Sequence, residues 1–274
     1  MDCPLPSATH PADRDMQSPF TRDAADIPGT AADTPAGPPV RPWLTVWLTV
    51  AAMLAAVVVS SVVIALVLIV GTAENPVDAR AWTTRVETDG DLLSAITWAG
   101  LVVEVPLVLV FARVVSGPWA ASHLGFRMPG ARSLARWLLA TAGFVVVVDV
   151  FTWLVGRDVV PAWMLDTYAA TQYPALLWAT VLVAAPVGEE LLFRGFLFDG
   201  LARSRRIGPV LAAGIAALAW ASLHLQYDIL GIATIFAVGM LLAAARHYTR
   251  SIVPCIAMHA LMNLIATIEA VWLG

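Results

Sequence analysis

The chain of 274 residues is 59% hydrophobic and 13% charged, with 16 basic and 20 acidic residues and a formal net charge of -4. Such a balance excludes an ordinary soluble domain and points to a polytopic membrane protein, in which the distribution of charge matters more than its sum. Two distant cysteines, Cys3 and Cys255, exclude a disulfide framework and a cysteine-based metal site, and no phosphate-cradling glycine loop or nucleic-acid signature is present.

Residues 1–42 carry nine prolines among Asp, Ala and Thr without any apolar period. Such a segment buries too little surface to order itself and reads as a disordered cytoplasmic tail. It does not read as a signal peptide, because the first apolar run starts too late and is too long. A membrane domain follows over residues 43–273. Seven apolar segments approach the roughly 20 residues that a bilayer requires: Trp43–Val70, Leu92–Val115, Trp137–Val155, Pro174–Phe198, Pro209–Leu225, Ile229–Ala245 and Ile252–Leu273. The fold class expected is therefore an all-α membrane bundle of about seven helices. Pro186, just ahead of Gly188 and Glu189, is expected to kink or break the fourth.

Arginines give an orientation. Arg41, Arg113, Arg127, Arg132, Arg136, Arg203, Arg205, Arg206, Arg246 and Arg250 fall in alternate loops, whereas the intervening loops hold only Arg80, Arg85 and Arg157, accompanied by acidic residues that include Glu74, Asp78, Glu87, Asp89, Asp91 and Asp158. The positive-inside rule then puts the N-terminus in the cytoplasm and the C-terminus outside. The linker from Ser122 to Arg136 is expected along the cytoplasmic interface, with His123 and His247 solvated near loop ends.

Ionisable groups inside the apolar segments are the candidates for function, since each costs several kcal/mol to bury there. Glu189, Glu190 and Arg194 interrupt the fourth segment. Glu190 and Arg194 are four apart and share a helix face, which leaves Glu189 about 100° away and free for other work. His224 closes the fifth segment, while His259 and Asn263, again four apart, project from one face of the seventh. On antiparallel helices these groups reach similar depth and converge on one site. Glu104 and Asp149 also lie mid-segment and are expected to have structural roles.

Three motifs carry a resemblance: Glu189-Glu190-Leu-Leu-Phe-Arg194, Trp220-Ala-Ser-Leu-His224 and His259-Ala-Leu-Met-Asn263. In that order and setting the chain resembles the CAAX prenyl endopeptidase-like intramembrane proteases, which include membrane proteins linked to bacteriocin immunity. Trp220 stands where that family more often has Phe. The resemblance covers about residues 174–273 and implies a membrane endopeptidase acting on a membrane protein or lipidated peptide. It assigns the chemistry to Glu189 and a supporting role on Glu190 to Arg194. Glu189 and His224 would activate a water, and His259 and Asn263 would donate to the oxyanion. The same carboxylate and imidazoles suit zinc, so Glu189, His224 and His259 form an alternative ligand set. No HExxH helix is present. Neither histidine has a nearby acidic residue in sequence to orient it as a ligand, and the expectation is a metal-free site. A proton- or ion-coupled transporter and a non-catalytic scaffold of the same fold are the alternative functions.

Overall fold

A computed structural model describes residues 40–74 and 88–273 of the chain. The proline-rich tail lies outside the described residues up to position 39, as do residues 75–87 of the loop after the first helix. Among the described residues there is no strand, and six helices are long and apolar enough to cross a membrane.

Helix α1 (Pro42–Glu74) runs against α2 (Gly90–Ser116). Most of α1 faces outward, with Leu54, Val57, Val58, Val62 and Leu66 all exposed, the pattern of a helix whose solvent is lipid. Asp89 caps α2, accepting from the amides of Asp91 (3.0 Å) and Leu92 (3.1 Å). A 3₁₀ turn and the five-residue α3 (Ala120–Leu124) follow, stopped by Gly125 at φ +77°. Ile252 donates to the Gly125 carbonyl at 3.0 Å and the Ser251 hydroxyl donates to the Arg127 carbonyl, so the segment is pinned to the start of the last helix.

Helices α4 (Ala131–Leu154) and the nine-residue α5 (Ala162–Ala170) lead to α6 (Pro174–Ala202). α6 is the centre of the bundle. Half of its most apolar 18-residue stretch is buried within the protein, against none of the corresponding stretch of α1, and every residue from Glu190 to Phe198 is buried. Two stretches, Thr180–Ala184 and Leu191–Phe198, are π-helical and bracket the α-helical turn Ala185–Glu190. Pro186 thus widens the helix into a π turn rather than breaking it.

The next element departs from the sequence reading. The apolar run Pro209–Leu225 contains only a 14-residue helix, α7 (Gly208–Ala221), too short to count among the six candidate spans. A non-helical connection follows to Asp228, whose carboxylate caps α8 (Ile229–Thr249) through the Gly231 amide at 2.9 Å. Helix α9 (Val253–Leu273) closes the bundle between α4 and α8. α7 and α8 meet at Gly239, where a Cβ would lie 2.7 Å from the Ala217 Cβ and 3.0 Å from its Cα. Contact this close against backbone admits no side chain. Gly239→Val is therefore expected to destabilise the protein by about 1–3 kcal/mol through overpacking, read as a lowered unfolding midpoint in detergent; wild-type stability would show that the two helices have room to part.

Candidate active site

The helical turn Ala185–Glu190 presents two carboxylates in different surroundings. Glu190 is fully buried and Glu189 half-buried. One oxygen of Glu190, Oε1, accepts from Arg194 Nη1 at 2.8 Å, one turn along the same helix, and from His259 Nδ1 at 2.9 Å, from α9. Arg194 is itself fully buried and lies 4.3 Å from the centre of the Trp220 ring, a cation–π contact that substitutes for part of its lost hydration.

Trp220, near the end of α7, is where the site's helices meet. Its indole Nε1 donates to Glu189 Oε2 at 2.5 Å. Its ring meets His224 edge-on at 5.1 Å and His259 at 5.3 Å. In sequence Trp220 is only a replacement for the more usual Phe, yet it touches every charged or imidazole group of the site except Glu190. Phenylalanine, commoner there in the resembled family, has no N–H to give Glu189.

His224 lies three residues beyond the last residue of α7, outside the helix on which the sequence reading placed it. Its Nδ1 is 2.9 Å from the Trp220 carbonyl, which fixes the tautomer. Nδ1 carries the proton and donates, leaving the Nε2 lone pair open. Asn263 goes elsewhere. Its Nδ2 donates at 2.7 Å to the carbonyl of Val181. In the π-helical register, Ala185 donates to the Thr180 carbonyl, so the next donor due, to Val181, is Pro186, which has no N–H. Asn263 supplies the hydrogen bond that Pro186 cannot.

A cavity of about 280 Å³ is lined by Trp220, His224, His259 and Asn263 of the site, and also by Arg157, Asp158 and Asp228. Arg157 pairs with Asp228. Asp149 and Glu269 line the same cavity and share a side-chain hydrogen bond, so Asp149 finds a partner that sequence order did not suggest. The expectation for His123 is corrected outright: it is fully buried, with Nδ1 2.7 Å from Ser116 Oγ and Nε2 3.2 Å from the Phe196 carbonyl. Arg246 Nη2 lies 2.8 Å from both the His123 carbonyl and Asp199 Oδ1, closing a buried polar cluster at the α6–α7 turn. His247, by contrast, is exposed.

Both histidines do have orienting partners, contrary to the expectation from sequence: the Trp220 carbonyl for His224 and the Glu190 carboxylate for His259. Even so, among the described residues no three His, Cys, Asp or Glu side chains are grouped closely enough to hold a metal ion. Glu189, His224 and His259 do not fit as a ligand set in this arrangement.

Residues 171–265 match the family model described as Rce1-like, type II CAAX prenyl endopeptidase. The match contains all six candidate residues and runs from just before α6 well into α9. It makes this part of the chain similar to a family of CAAX-protease-type membrane endopeptidases. No curated protein and no solved structure matches the chain.

The buried pair gives a direct test. Arg194→Ala leaves Glu190 in an apolar core with only His259, at an expected cost of about 3–5 kcal/mol, whereas Glu190→Leu combined with Arg194→Met is expected to recover most of that loss. Thermal unfolding of the single and double variants decides the point, and a double variant no more stable than Arg194→Ala would show that the pair holds more than its own charges.

Proposed function

We propose that the protein is an intramembrane endopeptidase that hydrolyses a peptide bond of a membrane protein or lipidated peptide with a water activated by Glu189 and His224. The observation that carries this reading is the division of labour between the adjacent carboxylates. Glu190 gives Oε1 to both Arg194 and His259 and has its other oxygen sealed in the core, while Glu189 keeps Oε1 without a hydrogen bond and Oε2 on Trp220. A general base has to have an open oxygen, and only Glu189 has one that is not buried.

Water bound between Glu189 Oε1 and the lone pair of His224 Nε2 gives up a proton to the carboxylate as its oxygen attacks the scissile carbonyl. The oxyanion forms beside His259. Because His259 Nδ1–H is held by Glu190, the ring donates from Nε2 only as the imidazolium, whose charge Glu190 offsets. Asn263 retains the second N–H of its amide for the same oxyanion. The proton on Glu189 then passes to the leaving amine, and the two product ends separate. No resident metal enters this scheme.

Orientation follows from the arginines. Arg127, the turn at Arg203–Arg206, and Arg246 with Arg250 face the cytoplasm, the C-terminus is external, and the cavity mouth at Arg157, Asp158 and Asp228 opens on the external side. A reporter fused after Gly274 is expected to be active only outside the cytoplasm; activity confined to the cytoplasm would reverse the assignment.

Glu189→Ala, His224→Ala and His259→Ala are each expected to lower cleavage by ~10²–10⁴ while the protein stays folded and inserted. Their substrates should accumulate in the membrane proteome of cells carrying Glu189→Ala. Activity is expected to survive strong chelation. Loss on chelation with recovery on adding zinc would overturn the metal-free mechanism and leave the protease reading standing, whereas a Glu189→Ala protein as active as wild type would sink the proposed site itself.

A further inference from the structure

Both groups that hold the attacking water are oriented from one residue. His224 takes its tautomer from the Trp220 carbonyl, 2.9 Å from Nδ1. Glu189 accepts at Oε2 from the Trp220 indole Nε1, at 2.5 Å. The first contact is made by backbone and survives any side chain at position 220. The second requires an indole N–H, for which phenylalanine has no substitute.

The indole is fixed where the carboxylate is not. Trp220 is only 3% exposed. The Arg194 guanidinium lies 4.3 Å from its ring centre, and the rings of His224 and His259 meet it edge-on at 5.1 and 5.3 Å. A side chain packed on its face and edges keeps one rotamer, so its N–H points in one direction. Glu189 is a long side chain, half-buried beside the site, and among the described residues the indole is the one hydrogen-bond donor to its oxygens.

From this placement we infer that Trp220 is a positioning residue, whose indole N–H holds the Glu189 carboxylate so that Oε1 faces the water and takes its proton. With Oε2 occupied, the proton from the water arrives at Oε1 and leaves from Oε1 to the amine. The indole is a donor only and exchanges no proton in either step. Without the N–H the carboxylate turns among several rotamers, few of which reach the water, and a displacement of about 1 Å costs on the order of 10²-fold in rate.

This inference rests on the endopeptidase reading, and its test separates the two. Full-length wild type, Glu189→Ala, Trp220→Phe and a variant with β-(3-benzothienyl)alanine at position 220 are reconstituted in phosphatidylcholine vesicles. The substrate is a quenched fluorescent peptide that carries one transmembrane segment. Benzothienylalanine keeps the shape of the double ring and its contacts with Arg194 and both histidines, and replaces the N–H by sulfur. It is expected to lower kcat by ~10–10²-fold with KM and the unfolding midpoint unchanged. Trp220→Phe is expected to lose at least as much turnover and to lower the midpoint as well, because it also leaves a void beside Arg194. In detergent, the indole N–H proton signal that Trp220→Phe removes is expected to move upfield in Glu189→Ala, as the hydrogen bond is lost. Wild-type kcat in the benzothienylalanine variant overturns the inference. So does a fall in its turnover accompanied by a lowered midpoint, which a purely structural indole would give, and so does an indole signal that does not respond to Glu189→Ala. If wild type and Glu189→Ala are equally inactive on the peptide, the endopeptidase reading fails and this inference falls with it.

Discussion

The site depends on how one negative charge is buried. Glu190 is fully enclosed in the most crowded helix of the bundle, where an isolated carboxylate is prohibitively costly. The i,i+4 arginine supplies the charge, and His259 ties a second helix to the same oxygen. Arg194 in turn needs a place for a planar cation, and the Trp220 face provides it. Room for that guanidinium exists because Gly239 has no side chain: a Cβ there would lie 3.2 Å from Arg194 Nη2. Burial of one acid thus fixes the relative positions of α6, α7, α8 and α9, and the histidines come into place as a consequence.

The pieces of this arrangement were legible in sequence to very different degrees. The Glu190–Arg194 pair follows from spacing alone, because four residues on a helix is a contact distance. The apolar helices follow from composition, with α7 the exception. Its window is apolar through Leu225, so nothing in hydropathy marks a stop after Ala221, and the next clear local signal is the Asp228 cap of the following helix. In sequence His123 lies near a loop end, where solvation is the simplest expectation. Its burial is decided by Ser116, the Phe196 carbonyl and Arg246, which packing alone brings together. Asn263 looked like an oxyanion donor from its place one turn after His259. The carbonyl that claims one of its N–H groups is orphaned by Pro186, in another helix.

The orientation of the histidines carries the same lesson for chemistry. Sequence proximity offered them no acidic partner, and that absence was taken as a reason to prefer a metal-free site. The partners are in fact a backbone carbonyl one turn back and a glutamate on another helix. Backbone acceptors are invisible in a residue pattern, and a carboxylate already assigned to an arginine is easily overlooked as an acceptor for a second donor. A lack of orienting partners is therefore no ground for choosing between the two mechanisms.

Shortness of α7 is what makes the site reachable. At 1.5 Å per residue its 14 residues extend only about 21 Å, less than the hydrocarbon thickness of a typical bilayer. The remaining depth is occupied by the connection from Ser222 to Tyr227, which carries His224. Irregular backbone at that level is tolerated only where it is covered by protein or lines a water-filled space. Here it does the second, since His224, Tyr227 and Asp228 all line the cavity. A full-length helix would fill that volume and carry the residue at position 224 one turn further along its axis. By ending the helix at Ala221 and closing the next residues into hydrogen-bonded turns, the chain places the His224 imidazole on the wall of the cavity that His259 and Asn263 also line.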